Sequence, residues 1–261
     1  MKIKMLSKKN DTCIFLLEDT TPAFANTLRR IMISEVPTLA VEKIDFNDNT
    51  SALFDETVAH RIGGIPLSFD PSKFNLHSEC KCNGKGCPSC EVVFFIEKSG
   101  PGTVYSGDMK SSNRAVKPIS GDFPIVKLLK GQSLKLEAFA HLGTGKSHAK
   151  WQASNASYMY YPELEVKKGA KNLEKVVKAC PNGAVALKSR KLVLLDLFKA
   201  DECKRIVDDV SDGDVTIKED PTRFVFRVES VSGLDPKYII TQAAEILLGK
   251  AKEFKTELKN I

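Results

Sequence analysis

The sequence predicts an α+β fold in which the middle of the chain differs in character from its two ends. Both ends combine alternating strand patterns with the apolar stripe of an amphipathic helix. Residues 66–165 contain short alternating apolar runs separated by turn residues, which indicates a β-rich unit. Residues 166–222 mix helix-like and strand-like pieces over a stretch too short for a large core, which indicates a compact α+β insert.

The N-terminal segment is predicted to form two strands and a helix. The runs KIKML and CIFLLE alternate as paired strands do, and Cys13 is expected to be buried in the second. Thr21 suits the N-cap of the following helix, Pro22 suits its first position, and Pro37 ends it. The apolar stripe of this helix consists of Phe24, Leu28, Ile31 and Val36.

Two adjacent arginines, Arg29 and Arg30, lie in the middle of this helix. They fit a solvated face, and they equally fit a protein interface, where arginine beside apolar residues is common. The residues by themselves leave both interpretations open.

A strand-like run, LAVEKIDF, precedes a second predicted helix. Ser51 is expected to cap this helix, and Gly63 with Gly64 is expected to end it. Its apolar positions are Leu53, Val58 and Ile62.

A cysteine-rich loop at residues 80–90, CKCNGKGCPSC, predicts a metal site. Two close thiol pairs separated by a glycine-containing turn can surround one tetrahedral zinc ion. Unrelated free thiols and two disulfides are the alternatives. His77 could compete as a ligand, but four thiolates already fill the shell, so we expect one structural zinc ion without an open position. The expected ligands are Cys80, Cys82, Cys87 and Cys90.

The compartment predicted from the sequence is the cytoplasm. No apolar run approaches the roughly 20 residues of a membrane span, and the N-terminus lacks the pattern of a signal peptide. Cytoplasmic thiols stay reduced, which favours metal binding over disulfides in the cysteine loop.

Charge and motifs argue against catalysis and against direct nucleic-acid binding. The net charge of +6 comes from 39 basic and 33 acidic residues dispersed along the chain, without a basic stripe. The acidic run at 208–214 is interpreted as a solvated loop. GTGKSH at 143–148 resembles a phosphate loop, but Ala140 stands where that pattern needs glycine. We therefore expect no catalytic and no cofactor-binding residues.

The C-terminal segment is predicted to form a strand, RFVFRVES, and a long helix. Asp235 suits the N-cap of this helix and Pro236 its first position. The apolar stripe has to be buried by packing, either against a partner chain or against the chain's own domain. It includes Ile239, Ala243, Ile246, Phe254 and Leu258.

Three motifs together resemble the D-type subunit family of archaeal RNA polymerase, which is related to the third-largest subunit of eukaryotic polymerases and to the bacterial alpha subunit. They are TPAFANTLRRIMISEVPTLAVEKIDF, SALFDETVAHRIGGIPL and KPISGDFPIVKL, followed by the long C-terminal helix. The similarity extends over essentially the whole chain. It implies a non-catalytic subunit that forms the platform on which the large polymerase subunits assemble.

The resemblance also implies a discontinuous architecture. A dimerisation domain would comprise residues 1–45 and 223–261, a β-rich domain with the zinc loop residues 46–165, and a ferredoxin-like insert residues 166–222. Helices of the dimerisation domain would pack against the small alpha-like subunit L. The implied interface residues are Phe24, Leu28, Arg29, Arg30, Ile31, Ile239, Ala243, Ile246, Phe254 and Leu258.

The further partners implied by the family are the small subunits N and P and the second-largest subunit, with DNA contacted only through the complex and no membrane. The paired arginines would then serve structural or large-subunit contacts.

Ferredoxin-like inserts of the family hold iron–sulfur clusters in some members. Here Cys180 and Cys203 match two ligand positions, but Ile206 and Asp209 break the cysteine run, so we expect no cluster. An iron–sulfur redox sensor and a nucleic-acid-binding zinc protein are the alternative functions.

Overall fold

A computed structural model describes residues 1–170, 173–181, 183–188 and 191–260. Ile261, the last residue of the predicted dimerisation domain, lies outside them, and so do residues 171, 172, 182, 189 and 190 of the predicted insert. The helices are α1 (Pro22–Ser34), α2 (Asp55–Gly63), α3 (Leu173–Ala179), α4 (Ala200–Val210) and α5 (Pro236–Glu257). The strands are β1 (Lys2–Lys9), β2 (Thr12–Glu18), β3 (Thr38–Asn49), β4 (Leu67–Ser68), β5 (Glu91–Ser99), β6 (Gly102–Tyr105), β7 (Lys110–Ser111), β8 (Lys117–Pro118), β9 (Pro124–Leu128), β10 (Ser133–Gly143), β11 (Ser154–Val166), β12 (Val185–Lys188), β13 (Lys191–Leu194) and β14 (Val215–Ser230).

The strands form two four-stranded sheets and three short pairs among the described residues. The strand orders of the larger sheets are β1-β2-β14-β11 and β3-β10-β5-β7, and the pairs are β12-β13, β4-β8 and β6-β9. The chain divides into two compact units: residues 1–7, 14–26 and 158–227 form one, and residues 8–13, 27–157 and those from 228 onward form the other. The domain boundaries implied by the family resemblance stay a prediction.

The sheet β3-β10-β5-β7 provides a large core. Strand β10 is antiparallel to both β3 and β5, and its residues alternate along the strand between buried and less buried positions. Leu134, Leu136 and Ala138 are buried and face the same side of the sheet, because side chains two residues apart share a face. Val58 and Ile62 of α2 belong to the same core.

The predicted caps of the first and last helices are confirmed. The backbone N–H of Phe24 donates to Oγ1 of Thr21 at 3.3 Å at the start of α1, and α1 ends before Pro37. At the start of α5, the backbone N–H of Lys237 donates to Oδ1 of Asp235 at 2.8 Å. Each cap satisfies one of the N–H groups that lack a partner in the first helical turn.

The predicted cap of α2 is wrong. Ser51 lies in the turn before the helix, where its hydroxyl donates to Oδ1 of Asn49 at 2.7 Å and accepts from the backbone N–H of Leu53 at 3.3 Å. The helix begins at Asp55, with Phe54 at the N-cap and no side-chain cap. The Ser51 hydroxyl therefore stabilises the turn and is too early in the chain to reach the first N–H groups of the helix. The end at Gly63 agrees with the prediction.

The described residues between 173 and 217 form helices and strands that alternate as the sequence predicts, around a small core of their own. The buried side chains of this core include Val176 from α3, Cys203 and Val207 from α4, and Val215 and Ile217 from β14. Its small size fits the expectation from the length of the segment.

Candidate metal centre and subunit interface

The cysteine loop folds into two tight turns just before β5. The backbone N–H of Asn83 donates to the carbonyl of Cys80 at 3.0 Å, and that of Cys90 donates to the carbonyl of Cys87 at 2.9 Å. Between these turns, Gly84 and Gly86 have φ values of +74° and +83°, which glycine adopts without steric cost. The turns bring the four thiols of the loop together.

The four sulfur atoms form a compact cluster. The Sγ atom of Cys82 lies 3.5 Å from those of both Cys80 and Cys90, and the Sγ of Cys87 lies 3.6 Å from that of Cys80 and 3.7 Å from that of Cys90. Disulfide sulfurs would be about 2.05 Å apart, whereas zinc–sulfur bonds of about 2.3 Å place tetrahedral sulfurs about 3.8 Å apart. The geometry therefore fits a metal ion held by four cysteines.

The electrostatics of the cluster also fit a metal. Burial opposes ionisation of Cys82, but hydrogen bonds from the neighbouring thiols outweigh it and lower the pKa of Cys82 to about 7. Burial raises the pKa of the Cys90 thiol to about 12. Four thiols in mutual contact cannot all ionise without a compensating charge, and a divalent cation supplies that charge.

His77 takes no part in the ligand cluster, which consists of the four cysteines alone among the described residues. Its ring stacks on that of His141, with ring centroids 4.4 Å apart. Its Nε2 atom is buried without a hydrogen-bond partner in the part of the chain that the structure describes. His77 therefore contributes packing beside the cysteine loop, and the four thiols that lie together are those whose spacing predicts a metal site.

The three remaining cysteines are buried apart from this loop. Cys13 is fully buried in β2, as predicted. Cys180 and Cys203 share the small core around α4, and neither belongs to a group of three or more candidate metal ligands within the described ranges. Burial, followed by a hydrogen bond with the Cys180 thiol, raises the pKa of Cys203 to about 12.

The residues predicted for the subunit interface fall into two groups by exposure. The first group is buried in this chain and comprises Leu28, Ile31, Ile239 and Ala243. The second is accessible: Phe24, Arg29 and Ile246 are half-buried, whereas Arg30, Phe254 and Leu258 are exposed. The interface roles of both groups stay a prediction.

The C-terminal half of α5 has an apolar surface that the described part of the chain does not cover. Phe254 is 67% exposed and Leu258 is 55% exposed, and all residues from 248 to 260 are exposed. Leu248, which the predicted stripe did not include, is also 55% exposed. Several large apolar side chains that are exposed to solvent on the same part of a helix are a common sign of a protein interface.

None of the helices in the described ranges is long and apolar enough to cross a membrane.

Comparison with known proteins identifies the family. Residues 44–160 match the family model of the RNA polymerase Rpb3/RpoA insert domain. The chain is 36% identical to DNA-directed RNA polymerase subunit Rpo3 of Methanothermobacter thermautotrophicus over 260 residues, which cover 98% of each chain. It is 38% identical to the Pyrococcus horikoshii subunit Rpo3, covering 100% of this chain and 99% of the relative. It is 34% identical to the Archaeoglobus fulgidus subunit Rpo3, covering 100% and 98%. The chain therefore belongs to the family of DNA-directed RNA polymerase subunit Rpo3, a non-catalytic assembly subunit of that enzyme.

Proposed function

We propose that this chain pairs through α1 and α5 with the small alpha-like subunit L, and that the heterodimer is the platform for the other subunits. The second-largest subunit and the small subunits N and P would assemble on it, and DNA would be contacted only through the complete enzyme. The cytoplasm is the expected location. Membership of the Rpo3 family supports the platform role.

The observation that carries the pairing proposal is the uncovered surface of α5. A helix gains most of its stability in water from packing of its apolar face, yet Phe254 and Leu258 face solvent. These two residues are one helical turn apart and therefore lie on one face. A helix from L packed against this face would bury both side chains.

The buried members of the predicted interface would act indirectly. Leu28 and Ile239 are 5% and 0% exposed, so they hold α1 and α5 in place within this chain. A charge at Leu28 would destabilise the chain itself and would be a poor test of pairing. Arg29 and Arg30 are proposed for contacts with the second-largest subunit, for which the exposed Arg30 is the better placed.

The cysteine cluster is proposed to hold one structural zinc ion. Cys80, Cys82, Cys87 and Cys90 would supply four thiolates and leave no position for water, so the ion cross-links the loop and takes part in no reaction. The insert at 166–222 is proposed to be ferredoxin-like without a cluster, within the domain boundaries given above.

Co-expression with L, followed by native mass measurement, tests the pairing. We expect a one-to-one complex with the wild-type chain and no complex with Phe254→Asp, because the subunit interface would have to bury an unpaired carboxylate. Lys252→Asp is the matched control, since residue 252 lies on the opposite side of α5 from Phe254. Pairing by Phe254→Asp as strong as that of Lys252→Asp would contradict the proposal.

A further inference from the structure

The hairpin of β12 and β13 has one face towards the small core around α4 and one face away from it. Val185 and Leu192 belong to that core, and Leu194 packs against it. Val185 pairs with Leu194 across the hairpin, and Ala186 pairs with Val193. Because side chains alternate between the two faces of a strand, Ala186 and Val193 lie on the outer face of the hairpin.

The outer face of the hairpin is apolar in its middle, although it is open to solvent. Val193 is 37% exposed and Leu195 is 50% exposed. Leu195 extends β13 by one residue, since its backbone N–H donates to the carbonyl of Ala184 at 2.8 Å, and it therefore shares a face with Val193. Phe198, in the turn that follows, is 42% exposed. Such a group of exposed apolar side chains commonly marks a protein contact.

Opposite charges lie at the two ends of this face. Lys188 and Lys191 pair across the hairpin next to its turn, and both are exposed on the outer face. At the other end, β13 leads through a short 3₁₀ turn (Leu197–Lys199) into α4, whose first turn carries the exposed Asp201 and Glu202. The outer face therefore has a basic end, an apolar middle and an acidic end.

We propose that this face pairs with the same face of a second copy of the chain. A two-fold axis in the plane of the contact and across the strands reverses the strand direction in the second copy. The basic end of each copy then meets the acidic end of the other, and Val193 and Leu195 of both copies meet in the middle. The face is thus complementary to itself in charge and in polarity.

Nucleic acid fits this face less well than a second copy does. The apolar side chains on the strand, Val193 and Leu195, are aliphatic, whereas bases stack on aromatic side chains. The acidic end with Asp201 and Glu202 would also repel phosphates. A second copy satisfies both ends of the face.

Sedimentation velocity of the full-length chain over a series of concentrations tests the inference. We expect a weak equilibrium between monomer and dimer, because a face of this size falls in the range of transient contacts. Val193→Asp should raise the dissociation constant of the dimer about tenfold, since the contact would bury an unpaired carboxylate. Phe254→Asp is the matched control, because it places the same charge on an exposed apolar residue of α5 and should leave the dimer unchanged.

Charge exchange tests the two-fold arrangement. The double variant Lys188→Glu/Lys191→Glu should weaken the dimer about tenfold at low salt, because it places like charges opposite each other. The double variant Asp201→Lys/Glu202→Lys should weaken it for the same reason. An equal mixture of the two double variants should recover the wild-type affinity, since opposite charges then meet at both ends of the contact.

Three results would overturn the inference. The first is a wild-type chain that stays monomeric at every concentration. The second is a dimer that survives Val193→Asp or dissociates with Phe254→Asp, which would place the contact elsewhere. The third is a mixture of the charge variants that associates no more tightly than either variant alone. None of these results bears on pairing with L, because the hairpin contributes no residue to the surface proposed for it.

Discussion

The ammonium nitrogen of Lys8 lies 2.5 Å from Oδ2 of Asp235, so the ion pair joins the end of β1 to the start of α5. The other carboxylate oxygen of Asp235 accepts the backbone N–H of Lys237 as the N-cap of α5. One carboxylate therefore serves both a long-range ion pair and a helix cap. Both contacts favour the ionised form, with the hydrogen bond from Lys8 as the larger cause, and they lower the pKa of Asp235 against the opposing effect of burial.

The lowered pKa of Asp235 predicts a dependence of stability on pH. A carboxylate whose pKa is lower in the folded chain stabilises it above the unfolded pKa, near 4, and that contribution is lost as the pH falls through the folded pKa. Asp235→Asn keeps the cap but removes the charge. We expect wild type to be more stable than the variant at pH 7 by less than about 1 kcal/mol, because the pair is half-exposed.

The difference in free energy of unfolding between the wild type and the Asp235→Asn variant should vanish between about pH 5 and pH 2 in urea titrations. Lys237→Ala, which alters a neighbouring side chain without changing the cap, should leave the pH dependence unchanged. A difference in free energy of unfolding that stays constant over this pH range would show that the ion pair does not contribute to stability.

Removing one thiol of the cysteine loop should release the metal. We expect about one zinc ion per wild-type chain and none after Cys82→Ser, because a three-thiolate shell binds zinc far less tightly. Cys203→Ser is the control, since Cys203 lies in another core and should keep the ion. Metal analysis by mass spectrometry measures the zinc content of both variants. Zinc retained by Cys82→Ser would place Cys82 outside the ligand shell.

Limited proteolysis adds a second readout for the same site. The loop has few apolar side chains, so we expect a bound metal to order it and chelation to expose residues 76–90 to cleavage. Cleavage confined to the small core around α4 would contradict this expectation.

The thiol of Cys203 should resist alkylation in the folded protein. Burial raises its pKa to about 12, so the reactive thiolate is scarce at pH 8, and the side chain is fully buried. Iodoacetamide labelling followed by peptide mass measurement should find Cys203 unmodified before unfolding and modified after it. Rapid labelling of the native chain would mean that α4 opens readily.

The sequence predicted features whose determinants are close together in the chain. The four cysteines of the cluster lie within eleven residues, so their spacing alone indicated the cluster. The caps at Thr21 and Asp235 were predictable for the same reason, because each side chain binds a backbone N–H group only two or three residues later. The cap at Ser51 was wrong because Asn49, two residues earlier, competes for the same hydroxyl, and the helix starts only at Asp55.

The grouping of three basic residues around one pocket could not be predicted in this way. Arg30, Lys146 and Lys250 are far apart in sequence, and only the packing of α1, the 143–148 loop and α5 brings them together. Periodicity also could not separate Leu28, which the chain buries itself, from Phe254, which it leaves exposed. Both lie on apolar helical stripes, and a stripe does not specify what covers it.

Two glycines should respond to alanine in opposite directions. A Cβ on Gly233 would lie 2.0 Å from the Leu67 carbonyl oxygen and 2.6 Å from Cα of Ser68. Because the backbone at one of these positions would have to move, we expect Gly233→Ala to destabilise the chain by about 1–3 kcal/mol. Gly249 lies inside α5. Apart from its chain neighbours and the nearby helix backbone, no atom of the described chain would lie within 4 Å of a Cβ there, so Gly249→Ala should stabilise the helix by up to about 1 kcal/mol. Urea unfolding of the two variants beside wild type measures both changes. Equal effects of the two substitutions would mean that the close approach of residue 233 to β4 is absent in solution.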